Sequence, residues 1–214
     1  MTTPFLKICG ITRLEDAQGA IQWGATALGF VLWPESPRRV AVETVAAIVA
    51  QLPSSVLTVG VFVNESSDEV ARVMTETKLT AVQLHGDETL LYAASLPWPI
   101  LRSVTLETAD SVTATWPSST TLLLDAADPE RRGGTGRRVD WTRAAAIART
   151  RRVVLAGGLT PENVAAGIVA VRPYGVDVSS GVEDAPGVKN AKKVAQFLTI
   201  ARKAMSDWNL VLEQ

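Results

Sequence analysis

The sequence predicts an α/β fold, a (β/α)8 (TIM) barrel forming one domain over residues 1–214. Three observations lead there. Eight short apolar runs recur along the chain, each rich in Val, Leu or Ile and too continuous for a sheet wet on one face. Helix-like segments alternate with them, as in a parallel sheet. No Gly-x-Gly-x-x-Gly turn follows the first run, which disfavours an open doubly wound sheet, whereas eight strands close into a barrel without exposed edges.

In chain order, the first run covers 5–9 and precedes Thr12-Arg-Leu-Glu15, spaced as a capping box in which hydroxyl and carboxylate satisfy reciprocal backbone donors. The second, 26–31, precedes a helix over 41–52 with Val42, Val45, Ala46, Val49 and Leu52 on one stripe. After the third, 56–62, Ser66-Ser-Asp-Glu69 is a second capping box. The fourth and fifth runs are 80–84 and 100–105; the segment that follows, 107–116, carries enough Thr and Ser to make a full helix doubtful. The sixth run, 121–125, leads into a long connection from Ala126 to Val139 with Arg131-Arg-Gly-Gly-Thr-Gly136, which reads as a mobile active-site loop. The seventh is 152–156, after which Thr160-Pro161 reads as N-cap and first helical residue. The eighth is 175–179, and a helix over 188–205 closes the chain with Val194, Phe197, Leu198 and Ala201 at helical intervals.

Composition narrows the function classes. Lys and Arg number 21 against 22 Asp and Glu, a net charge of −1 with no basic run, which argues against nucleic acid or an electrostatic membrane anchor as partner. No apolar stretch approaches the ~20 residues of a membrane span, and the start lacks a secretory signal pattern. One cysteine, Cys9, forbids an internal disulfide and suits a reducing cytoplasm. One histidine, His85, beside one cysteine cannot build a His/Cys-rich zinc site, so a metal-poor protein is expected.

Residues at the C-terminal ends of barrel strands face the catalytic mouth. Those ends hold Cys9, the 34–39 loop, Gln83 and His85, Asp125, Gly157-Gly158 and 177–181. The glycine pair Gly157-Gly158 and the small residues Ser180 and Gly181 follow the seventh and eighth runs, where this fold commonly grips phosphate; the pair alone is equally a tight turn. Cys9 is either a small buried hydrophobe or a base, with Lys7 on the same side of the strand to lower its pKa. Asp125 ends a very apolar run, as a loop cap or a desolvated acid, and its strand lies three places from that of Cys9 around the ring. Arg38 offers either a fork for a planar carboxylate or a solvated loop arginine. Gln83, His85 and Asp177 are assigned to substrate binding, though hydrogen-bonding its own loop is the main role expected of His85.

The segments Lys7-Ile-Cys-Gly-Ile-Thr12, Gly29-Phe with Ser36-Pro-Arg38, Gly60-Val-Phe-Val-Asn64 and Val82-Gln-Leu-His-Gly-Asp87 resemble the phosphoribosylanthranilate isomerase family. So do Leu124-Asp125, Gly133-Gly-Thr-Gly136, Asp140-Trp141, Ala156-Gly-Gly-Leu-Thr-Pro-Glu-Asn163 and Val176-Asp-Val-Ser-Ser-Gly-Val-Glu183. The resemblance runs in order from about residue 7 to Asn190; its first motif is highly specific, whereas Ala-Gly-Gly-Leu is shared among phosphate-binding barrels. Trp33 stands where Phe or Tyr is usual, and Arg131 and Arg132 precede the glycine-rich loop; neither departure touches an expected catalytic position.

The resemblance implies a cofactor-free and metal-free barrel of tryptophan biosynthesis that performs an Amadori rearrangement of N-(5-phosphoribosyl)anthranilate. It implies Cys9 as general base, Asp125 as general acid, Arg38 as partner of the anthranilate carboxylate, and Gly157, Gly158, Ser180 and Gly181 as the phosphate site. The expected partner is this small-molecule substrate, for a monomer or a homodimer. The isomerase of histidine synthesis is expected to carry Asp in place of Cys9, and indole-glycerol phosphate synthase to use lysine and a longer N-terminal extension. A metal-dependent epimerase needs several histidines, and a non-catalytic phosphate-binding barrel has no need of Cys9, Asp125 and Arg38 together.

Overall fold

The computed structural model describes residues 4–126 and 139–212. Eight parallel strands close a barrel in sequence order: β1 (Phe5–Cys9), β2 (Ala27–Val31), β3 (Leu57–Phe62), β4 (Ala81–Leu84), β5 (Ile100–Val104), β6 (Thr121–Leu124), β7 (Val153–Leu155) and β8 (Gly175–Val178). Each expected run carries its strand, trimmed by no more than two residues. β1 pairs with both β2 and β8, and that second pairing closes the ring, setting Lys7 opposite Asp177.

Alternation along the strands sorts the side chains into two layers. Leu6, Ile8, Leu28, Phe30, Val82, Leu84, Leu122, Leu124, Leu155 and Val176 join the helix-facing core. The inward positions carry a smaller apolar layer around Val59, Ala81, Leu101, Leu123 and Val154, together with the buried polar groups Lys7, Gln83, Ser103 and Asp177. Apolar filling at one end and polar groups at the other give the barrel its chemical direction.

The helices are α1 (Leu14–Gln22), α2 (Val42–Val49), α3 (Ser67–Thr77), α4 (Leu90–Ala94), α5 (Ala109–Thr115), α6 (Trp141–Ala148), α7 (Val164–Val171) and α8 (Ala191–Leu212). Several differ from expectation. Thr12 does not cap α1; its hydroxyl donates to Gly187 O at 2.5 Å, and Arg13 holds the N-cap position without a side-chain bond. Ser66 does cap α3, accepting from Glu69 N, yet Glu69 turns to Arg72 and the box stays half-made. α2 stops at Val49 and buries Ile48 in addition to Val45. The Thr-rich fifth segment is helical after all, because Ala109 and Val112 bury against the core and packing overrides propensity.

Two further corrections concern the mouth. Regular α7 begins at Val164 rather than just after Thr160; Pro161–Asn163 form a turn in which Thr160 O accepts from Asn163 N and Val164 N. α8 begins at Ala191, because Val188–Lys189 form strand β10 against β9 (Glu183–Ala185), after a 3-10 turn at Ser180–Val182. Pro186 and Gly187 make the hairpin's bend, Gly187 taking φ +78° as a turn glycine does. The mobile-loop expectation falls on residues 127–138, which lie outside the described residues. Asp140, from the Asp140-Trp141 motif, caps α6 by accepting from Thr142 N and Arg143 N.

Phe197 is fully buried where α8 packs on the barrel. Phe197→Ala is expected to lower stability by about 3–5 kcal/mol, read as a shift of the urea midpoint at unchanged slope; a shift near zero would show that α8 adds little to the core.

Candidate active site

The sequence-assigned residues gather at the C-terminal end of the barrel, though in two neighbouring groups. Asp125 and Asp177 share one pocket with Ala156, Gly157, Gly158, Leu159 and the segment from Val178 to Gly181. Cys9, at the end of β1, and Arg38, packed over Gly10 next to Ser179, stand beside it.

The glycines of the pocket are required by close approach. Gly157 and Gly158 have φ of +72° and +66°, in the left-handed region that L side chains avoid. A Cβ at Gly157 would lie 2.6 Å from Ala126 N, and one at Gly181 would strike Leu159 O. The β7 and β8 loops are therefore interlocked, and Asn163 braces the first by donating from Nδ2 to Gly158 O at 2.9 Å. Ser179, which the sequence reading passed over in favour of Ser180, points a buried hydroxyl that has no hydrogen-bond partner among the described residues.

Asp125 follows β6 directly. Its Oδ1 accepts from Ala126 N at 2.8 Å, and Oδ2 lies 3.9 Å from His85 Nε2. His85 is held from both sides: Gln83 Nε2 donates to Nδ1 at 3.0 Å, which leaves the ring proton on Nε2, facing Ser103 Oγ at 3.2 Å and Asp125. The histidine is thus tied to its own strand and also directed at Asp125; the two roles are not exclusive. Ser103 was not foreseen, since a lone serine inside a strand gives no sequence signal.

Cys9 is buried, and its Sγ and the Lys7 ammonium both crowd the space above Gly29. A Cβ at Gly29 would fall 2.7 Å from Sγ and 3.0 Å from Lys7 Nζ, which explains the glycine. Lys7 is fully buried and donates to Asp177 Oδ1 at 2.9 Å. Burial alone would lower its pKa; the opposing pull of Asp177 and Cys9 prevails and the ammonium is held well above its ordinary value. For Cys9, burial is the largest influence and pushes the thiol up, with Lys7 and Lys189 opposing it and Asp177 adding to it. Lys7 acts in the expected direction but does not win, and the net shift is upward.

Arg38 is neither solvated nor open on all sides. Its Nε and Nη2 donate to the Glu183 carboxylate at 2.8–3.1 Å, a bidentate grip. Lys189 Nζ donates to the same carboxylate at 2.7 Å and Gly187 N at 3.2 Å. Burial would raise the Glu183 pKa, but the bonds from Arg38 and Lys189 hold it below the usual range, while burial pulls that of Lys189 down. Glu183 and Lys189 were missed; the Pro186-Gly187 turn between two opposite charges was the available signal. Among the described residues no three His, Cys, Asp or Glu side chains gather as metal ligands, and no helix is long and apolar enough to cross a membrane.

A family model described as N-(5'-phosphoribosyl)anthranilate (PRA) isomerase matches residues 6–199. The N-(5'-phosphoribosyl)anthranilate isomerase of Trichlorobacter lovleyi is 47% identical over 205 residues, covering 94% of this chain and 98% of that protein. The crystal structure of phosphoribosyl anthranilate isomerase from Thermotoga maritima superposes with a TM-score of 0.86 at 37% identity, over 94% of this chain and 100% of that one. A phosphoribosyl anthranilate isomerase solved with reduced 1-(o-carboxyphenylamino)-1-deoxyribulose 5-phosphate gives a TM-score of 0.83 at 35% identity, over the same shares.

Cys9 is the sole cysteine, so thiolate absorbance in the ultraviolet reports it alone. The wild-type thiol is expected to titrate above the ordinary value of about 8.5, and Lys7→Met to titrate higher still, because the opposing cation is gone. The double variant Lys7→Met/Asp177→Asn, which leaves no buried charge unpaired, is also expected above wild type. An unchanged or lower titration in both would show that Lys7 exerts no field on the sulfur.

Proposed function

We infer the chemistry of this site from the family to which the chain belongs, that of N-(5'-phosphoribosyl)anthranilate isomerase. The protein is an intramolecular aldose–ketose isomerase of tryptophan biosynthesis. It converts N-(5-phosphoribosyl)anthranilate to 1-(2-carboxyphenylamino)-1-deoxyribulose 5-phosphate.

The division of labour is our proposal. Asp125 protonates the furanose ring oxygen, the C1–O bond breaks, and the nitrogen lone pair forms the C1 iminium. Cys9 as thiolate takes the C2 proton that the iminium acidifies, giving an enolamine that tautomerises to the ketone. Each proton transfer is of a kind that contributes about 10²–10⁴-fold. The ring-opened intermediate carries a positive charge of its own, which adds to the fields of Lys7 and Lys189 and favours the thiolate at the step that needs it. His85 Nε2, 3.2 Å from Ser103 Oγ and 3.9 Å from Asp125 Oδ2, lies beside the acid. The backbone of Gly157, Gly158, Ser180 and Gly181 receives the phosphate, Arg38 the anthranilate carboxylate, and Gln83 and Asp177 line the space for the sugar between them. Fixing both ends of the substrate supplies the positioning that makes two proton transfers efficient.

The observation that carries this reading is the single pocket joining Asp125 to both glycine loops, with Cys9 on the adjoining strand. The expected assembly is a monomer or a homodimer. The unpaired Cys9 supports a cytoplasmic location.

Cys9→Ser and Asp125→Asn are each expected to lower kcat by about 10²–10⁴-fold while binding of the reduced product analogue stays within a small factor; near-normal turnover removes the role from that residue. Arg38→Met is expected to raise KM far more than it lowers kcat, followed by loss of the fluorescence of the anthranilate substrate. The histidine-pathway isomerase substrate, run as a control, is expected to react far more slowly.

A further inference from the structure

The hairpin of β9 and β10 plays no part in the proton transfers, yet it delivers two buried charges to the mouth. Glu183 and Lys189 are register partners across it, and both side chains are buried. Thr12 fastens the bend to the segment after β1 through Gly187 O, and Asn190 N donates to Val182 O at its base. Its effect falls on Arg38, whose stem packs over Gly10, the residue after Cys9: a Cβ there would lie 2.8 Å from Arg38 Cδ.

We propose that Glu183 is the positioning residue for Arg38, clamping one edge of the guanidinium so that the other is presented, at fixed orientation, to the substrate's aromatic carboxylate. This rests on the reading of Arg38 as the carboxylate partner. A guanidinium is a planar fork of five N–H groups. Glu183 takes the Nε/Nη2 edge, while Nη1 makes no hydrogen bond to the described residues. The Nη1/Nη2 edge therefore keeps a parallel pair of donors at the spacing a second carboxylate accepts. The charges agree: Arg38 and Lys189 against Glu183 leave one net positive charge, so an incoming anion is not repelled by the clamp. Lys189 has the further duty of keeping Glu183 ionised, because a neutral glutamic acid would hold the arginine with a single acceptor.

The test compares two probes, the reduced product analogue and the same compound lacking its ortho carboxylate, in wild type, Arg38→Met, Glu183→Gln and Glu183→Asp. The double variant Glu183→Gln/Lys189→Met guards against a buried lysine left unpaired. Wild type is expected to prefer the carboxylate form strongly. Glu183→Gln and the double variant are expected to lose that preference by up to about 100-fold, to bind the decarboxylated probe as wild type does, and to show KM raised with kcat little changed; Glu183→Asp restores part of the preference. Retained preference in both Glu183→Gln proteins, alongside its loss in Arg38→Met, overturns the clamp and leaves the Arg38 reading standing. Retained preference in Arg38→Met overturns both. Equal weakening toward the two probes, or a tighter carboxylate probe in Glu183→Gln, also overturns the clamp, the latter because Glu183 would then be a competitor that substrate must displace.

Discussion

The pairing of β1 with β8 is the constraint on which the remainder of the molecule depends, because it converts a twisted parallel sheet into a ring and sets Lys7 beside Asp177 inside it. A cation and an anion that would each be costly alone in the interior become tolerable at 2.9 Å. Their position is what matters chemically. The ammonium and the sulfur of Cys9 crowd the same space above Gly29, and the carboxylate lines the pocket where the two glycine loops meet. Replacing the pair with apolar side chains would be cheap in stability and would leave the thiol without its nearest cation.

A second group of buried charges, Arg38, Glu183 and Lys189, lies on the other side of the same strand end. The two clusters share a logic: each holds its ions by mutual pairing, at 2.9 Å in one case and 2.7–2.8 Å in the other. Burial pushes the pKa of the thiol between them up, against the opposing field of Lys7.

The eight strands were legible because buried parallel strands are written as short, nearly pure apolar runs, and nothing else in a chain of this size repeats so regularly. Cys9, Asp125 and the glycine pair were legible as exceptions at the ends of those runs. What the sequence concealed were the contacts between distant segments. Thr12 has the spacing of a cap but a partner 175 residues away; Glu183 and Arg38 meet across 145 residues. Periodicity reports only neighbours along the chain, so it assigned Val188 and Lys189 to the last helix, when a cross-strand ion pair makes them a hairpin. The fifth helix shows the same failure in reverse: its composition opposes the helix and its tertiary burial decides for it.

The contact between Gly181 and the carbonyl of Leu159 makes the two glycine loops a single part rather than two. A side chain introduced at Gly181 displaces the backbone of the other loop at Leu159. Anyone transplanting these loops into another barrel must therefore carry both together, with Asn163 as the strut of the first, and inherit the angle between strands seven and eight along with them.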